Sequence, residues 1–309
     1  MLDKEKDITK IGAGFGDGLR ETSQYTTTQE ALITRGLVAE VLNQTPPVGL
    51  NLKILTEQMP EAMQLLDQLP NNSTIALFGL AIADGVNDTF RLLHQLGRQD
   101  VAMMHVVDID QAIIEQVKEL KLANVLTLHE DASRTSLDGN SHELIVRDHL
   151  GNCCPPDLYH DIEREVARVL VADGFALVNI TTSESLLQSE GRECVHIDQL
   201  SKQLSQEVLK ALRSRIFSLS QLSEEFPNIK IENLRGKLLE ISPNCFVVFG
   251  EDEQGHGEWF STLEWQESLW TKNGFKVVAS HKRVGQDSHK PPLECVRHIV
   301  LLRKIKEEK

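Results

Sequence analysis

Five short apolar runs punctuate the middle of the chain, at residues 74–78, 101–107, 124–128, 143–146 and 175–180. Each is bounded by turn-forming or polar residues. The first ends at Gly79 and the second at Asp108. The third is followed by His129, Glu130, Asp131 and Ala132, and the fourth by Arg147, Asp148 and His149. Brief runs of this kind suit strands buried on both faces of a parallel sheet. The stretches between them carry apolar residues at helical spacing and supply the crossovers. The pattern predicts an α/β fold. Sheets of this class bind ligands outside the carboxyl ends of their strands. Gly79, Asp108, Asp131 and Asp148 fall at those ends.

The flanks read differently. Thr27 and Glu30 form a capping box that opens a helix to about residue 42, with Ala31, Leu32, Leu37, Val38 and Val41 near one face. Pro46 and Pro47 break it. A second helix starts near Asn51, carries Leu52, Leu55, Met59, Met63, Leu66 and Leu69 on one side, and is bent or interrupted at Pro60. Beyond the fifth run, residues 195–222 read as a long helical region, with Leu200, Leu204, Val208, Leu212 and Ile216 in register. Residues 237–241 and 245–249 flank Ser242, Pro243 and Asn244 as a hairpin. A last helix starts at Ser261 and stops at Asn273 and Gly274. Two strands follow, at 275–279 and 296–302, joined by a long polar loop. The expected organisation is a helical segment at 1–70, a core at 71–184 and 259–309, and an inserted cap at 185–258.

Composition narrows the function. The 309 residues are 40% hydrophobic and 25% charged, an ordinary globular balance. No window reaches the run of about 18 apolar residues that a membrane span needs. The charged N-terminus lacks the apolar core of a secretory signal. A net charge of −14 disfavours nucleic acid as a partner, because phosphate binding needs clustered Lys and Arg. The five cysteines are odd in number and form no CxxC pair, which suits reduced thiols in a cytoplasmic setting and argues against a structural zinc site. No compact ligand set for a metal is present in the sequence.

Candidate chemistry concentrates at the strand ends. Gly79 lacks a Cβ, so the backbone there can approach a ligand closely, and Ala81 is the next smallest choice in the same turn. An acid at the tip of the second strand, Asp108, is where a ribose diol is held by one carboxylate. Asp110, two residues on, is expected to cap the following helix. Asp131 and Ala132 are placed to flank a base. His149 is the best-placed general base, with an ordinary imidazole pKa near 6.5; alternatively it only packs in its loop. Gly12, Gly14, Gly16 and Gly18 mimic a nucleotide loop, but no buried strand precedes them and no packing helix follows, as such a loop requires.

These residues together resemble the class I S-adenosylmethionine-dependent methyltransferases. Val107, Asp108, Ile109 and Asp110 are similar to the family's second-strand motif, and residues 129–132 to its adenine-side motif. Residues 143–149 resemble the motif near the reaction centre. Residues 165–178, with Arg168, Asp173 and Gly174, resemble the helix, turn and fifth strand written "evaRvLkpGGrlll". The resemblance implies a Rossmann-like seven-stranded sheet in the order 3-2-1-4-5-7-6, with the seventh strand antiparallel. It implies S-adenosylmethionine as cofactor, with S-adenosylhomocysteine as product. It places Asp108 and Ile109 at the nucleoside and Asp148 at the methionine ammonium. One motif departs: Leu77 stands where the first strand's acid is expected, and Asp84 or Asp88 is left to replace it. The expected activity is methylation of an O or N nucleophile on a small organic molecule. Methylation of a protein side chain, and a methyltransferase-like binding protein or non-methylating catalyst, stay open beside it.

Overall fold

The computed structural model describes residues 52–80, 84–97, 101–148, 150–152, 154–184, 194–196, 207–208, 224–227, 238–242, 245–248, 258–286 and 294–306. The expected helix at 27–42, the glycine run before it, and nearly all of the expected 195–222 helix lie outside them.

Two short helices, α1 (Leu52–Gln58) and α2 (Pro60–Leu66), open the described chain. They are split at Met59, where φ −132° and ψ 54° leave helical geometry ahead of Pro60. A proline's ring disfavours the helical conformation for the residue before it. Then come β1 (Thr74–Phe78), α3 (Asp84–Gln95), β2 (Met103–Asp108), α4 (Gln111–Glu119), β3 (Val125–His129) and β4 (His142–Asp148). A 3-10 turn at Leu150–Asn152 leads into α5 (Pro156–Val169) and β5 (Leu170–Thr181). The remaining described elements are β6 (Cys194–His196), β7 (Leu238–Ser242), β8 (Cys245–Val248), β9 (Glu258–Ser261), α6 (Leu263–Lys272), β10 (Phe275–Gln286) and β11 (Glu294–Lys304).

The main sheet runs β10-β11-β5-β4-β1-β2-β3. Its first five strands in the sequence are parallel, and β11 is antiparallel to both β5 and β10. Counted along this sheet alone, the order is 3-2-1-4-5-7-6 with the seventh strand antiparallel. This is the Rossmann-like seven-stranded sheet expected from the sequence. Residues alternate between two apolar layers. Leu77, Val146, Leu177 and Ile299 pack with Leu55, Leu66, Leu93 and Ile114 of α1 to α4. Phe78, Ile145, Val178 and Val300 pack with Ile162 and Val166 of α5 and Trp270 of α6. Burial on both faces is why β1 reads as an unbroken apolar run.

Some boundaries differ from the pattern. β3 begins at Val125 rather than Asn124, because Asn124 sits in the left-handed region at φ 63°, which asparagine tolerates. The last two strands extend well beyond 275–279 and 296–302. They pair out to Gln286 and Glu294, with one irregularity between Val277 and Ala279, so much of the stretch expected as a loop is strand. Polar side chains conceal such a stretch from a hydrophobic pattern. Ser261 ends β9, and Thr262 caps α6 by accepting from the Trp265 N–H at 3.2 Å. Val195 and His196, expected in a helix, lie in β6, which pairs in parallel with β7. The hairpin around residues 243–244 is present as β7 and β8, and with β6 and β9 it forms a four-stranded sheet.

Among the described residues no helix is long and apolar enough to cross a membrane.

Candidate functional site

The carboxyl ends of β1, β2, β3 and β4 converge on one edge of the main sheet. Gly79 closes β1 with φ +65°, and its N–H donates to the Val107 carbonyl at 2.9 Å. A Cβ at this position would run into the Leu150 side chain, so glycine is required by both conformation and space. The close approach anticipated for a ligand is made here by Leu150. The next residue turns inward. Leu80 is buried in the apolar layer with Leu77, Val86 and Val146. A Cβ on Gly85 would stand 2.8 Å from Leu80 Cδ2, so Gly85 provides the room that Leu80 fills.

Asp108 lies at the tip of β2, buried, with both carboxylate oxygens engaged. Oδ2 accepts from the Leu80 N–H at 2.7 Å and Oδ1 from the Asp110 N–H at 2.8 Å. Burial raises the Asp108 pKa above the ordinary carboxylate value, against the opposing pull of those two N–H donors. Each oxygen keeps a further lone pair able to accept a hydroxyl. Asp110 is the N-cap of α4 and accepts from the Ala112 N–H at 2.8 Å, as expected. Ile109, between the two acids, is 70% exposed. Its carbonyl meets His129 Nε2 at 2.9 Å, which holds the end of β3 against the end of β2. Beyond β3, Asp131 Oδ1 accepts from the Ser133 N–H at 2.8 Å, and Ala132 is buried. Cys154 is buried nearby. Burial, then the charges of Asp131 and Asp108, push its thiol up to about 12, so it stays protonated. A protonated thiol is a poor nucleophile.

Asp148 closes β4. Its Oδ1 accepts from Asn179 Nδ2 at 2.8 Å. Asp148 also lines a cavity of about 10 Å³, together with Leu77, Leu80, Gly85, Asp88 and Val146. That is room for about one water. Asp88 is buried and paired with Arg91 at 2.7 Å. Of the two acids left open as substitutes for the missing one on β1, Asp88 reaches this cavity. Asp84 begins α3, but its side chain lies outside the described residues, as do Ala81 and His149.

Four features escaped the sequence. Asn179 is a polar residue inside an apolar strand, and that contrast was its only signal. Asn152 donates to the Thr181 and Trp259 carbonyls at 2.8 and 2.9 Å and accepts from the Thr181 N–H at 3.0 Å. It thereby joins the loop after β4, the end of β5 and the second sheet. Behind Asp148, Arg147 pairs with Glu163, which also accepts from Trp270 Nε1 at 3.0 Å. Burial opposes the Arg147 charge, and Glu163 and Tyr159 beside it more than offset that, holding its pKa above the usual value. A further buried imidazole, His298, stands at the same level of the sheet, with Nε2 3.7 Å from Glu184 Oε1. Burial lowers its pKa. Among the described residues no three His, Cys, Asp or Glu side chains gather as metal ligands would.

No family model matches the chain, and no curated protein does. Among solved structures, it is similar to an S-adenosylmethionine-dependent methyltransferase from Methanosarcina mazei, at 14% identity and a TM-score of 0.48, covering 79% of this chain and 98% of that one. It is also similar to an S-adenosylmethionine-dependent methyltransferase from Mesorhizobium loti, at 10% identity and a TM-score of 0.45, covering 79% and 97%. At that distance the fold assignment stands on the strand order of the sheet itself.

Proposed function

We propose that this chain binds S-adenosylmethionine along the carboxyl edge of its sheet and transfers the methyl group to an O or N nucleophile of a small organic molecule, such as a natural-product intermediate. The observation that carries the reading is the nucleoside end. A buried carboxylate, Asp108, stands at the tip of β2, and the apolar Ile109 beside it is left 70% in water. An apolar side chain exposed next to a diol-binding acid is a surface for a planar base to cover. In this reading Asp108 holds the ribose, Ile109 and Ala132 flank the base, and Asp131 supplies a polar contact at its rim. Gly79 and Ala81 form the turn beside the cofactor. Asp148, fixed by Asn179, takes the ammonium of the methionine part, and Asp84 or Asp88 substitutes for the acid absent at Leu77, with Asp88 lining the cavity.

The cofactor supplies an activated methyl group when bound. The chain's work is to align the acceptor in line with that carbon and to exclude water. His149, next to Asp148, takes the acceptor's proton. The acidic net charge supports a small acceptor over nucleic acid. Residues 185–258 are taken as the cap that encloses it.

A second reading is favoured by one observation. Leu80 occupies the space between β1, β4 and α3 where the methionine part would lie, and the cavity that remains is about 10 Å³. A methyltransferase-like binding protein or non-methylating catalyst would look like this. Calorimetric titration of the purified chain with S-adenosylmethionine, and separately with S-adenosylhomocysteine, decides between them. Micromolar binding of either is the expected result. Absence of both, with a folded protein and also when Leu80 is replaced by alanine, removes the methyltransferase reading.

A further inference from the structure

Three observations at the end of β1 combine. First, the Leu80 N–H is held by Asp108 Oδ2 at 2.7 Å, inside the protein. Second, the Leu80 side chain is packed among Leu77, Val86 and Val146, in a space that Gly85 leaves open by having no Cβ. Third, the residue before it, Gly79, has φ +65° and is the natural pivot for this pair. The group that fastens Leu80 is the same carboxylate that the proposed function assigns to the ribose. Leu80 thus meets both acids proposed to hold one ligand: its N–H is on Asp108, and its side chain lines the cavity with Asp148.

We propose that Leu80 is a plug and Asp108 its latch: the described state is closed, and the S-adenosyl cofactor is admitted when Leu80 leaves the cavity and its N–H leaves Asp108. This rests on the reading of the edge as a cofactor site, and it reconciles the nucleoside end with the filled methionine end. The energetics follow from competition. The ribose and the Leu80 N–H both draw on the Asp108 carboxylate, so the two states exclude one another in part. Leaving also exposes the buried apolar Leu80 side chain to water, which is unfavourable. An open state that is the rarer of the two lowers the apparent affinity in proportion to its population. The plug is thus a tax on cofactor binding. It falls on S-adenosylmethionine and S-adenosylhomocysteine alike, since the latch contacts the part they share.

The test is calorimetric titration of the full chain with each cofactor, comparing wild type with Leu80→Ala, which empties the cavity and keeps the backbone N–H. The expected result is affinity about tenfold or more tighter for the variant, for both ligands. Gly85→Ala carries the test where Leu80→Ala does not fold. Its added methyl displaces Leu80 from a helix position where alanine is favoured over glycine, and the same tightening is expected. Binding by the variant alone also supports the plug. Equal or weaker affinity in the variant overturns the plug and leaves the cofactor assignment standing. No binding by wild type or by either variant, each folded by circular dichroism, overturns both.

Discussion

Asp108 and Asp110 stand two positions apart and do different work. The first turns both oxygens toward main-chain N–H groups at the mouth of the sheet, and the second caps α4. Replacing Asp108 by alanine is expected to abolish measurable S-adenosylhomocysteine binding in a calorimeter. Replacing Asp110 by alanine is expected to cost about 1 kcal/mol of stability in urea denaturation, the usual value of an N-cap, with cofactor affinity within a factor of about two. The division was legible in the sequence, because strand-tip position and helix-start position are both local. Leu80 was not. Its neighbours come from β1, α3 and β4, and nothing in its own surroundings along the chain marks it as filling a cavity between them.

At the scale of elements, β4 and α5 are joined by charge as well as by packing. Arg147 and Glu163 are both fully enclosed, with Trp270 from α6 donating to the same carboxylate. Removing one partner of a buried pair strands the other charge. Arg147→Met is therefore expected to cost about 3–5 kcal/mol in urea denaturation, and Arg147→Met with Glu163→Gln to recover much of it. Equal losses in the single and double variants would show that packing, not charge, sets the cost. The strands themselves were readable: β1, β2 and β5 are apolar on both faces, so composition alone marks them. The outer ends of β10 and β11 were not. Beyond Ala279, β10 is mostly polar, and its pairing with β11 carries it on to Gln286.

For the whole molecule, a buried histidine makes stability depend on pH. His142 is 1% exposed at the opposite end of the sheet from the site, with Nδ1 2.7 Å from Ser141 Oγ and Nε2 2.9 Å from His105 Nδ1. Burial, then the neighbouring His105, lowers its pKa to about 4, against a small opposing pull from Asp138. The folded pKa lies below the unfolded one, so between them the unfolded chain binds the proton first. Stability from this site is whole above about pH 6.5 and is lost progressively as pH falls toward 4, by on the order of 3 kcal/mol. Urea midpoints measured from about pH 7.5 to 4.5 should fall in this way, and more shallowly in His142→Gln. An unchanged slope in that variant would place the acid sensitivity elsewhere. What the sequence determined by itself is the sheet, the order of its motifs and the acids at its carboxyl edge, because burial on both faces and turn chemistry are written in neighbouring residues. What only the tertiary structure decided is the state of the site: Leu80 in the cavity, Leu150 over Gly79, Asn179 on Asp148, and Asn152 tying the second sheet to the first. Those contacts join residues from separate strands and loops, and no local pattern records which side chain wins a shared space.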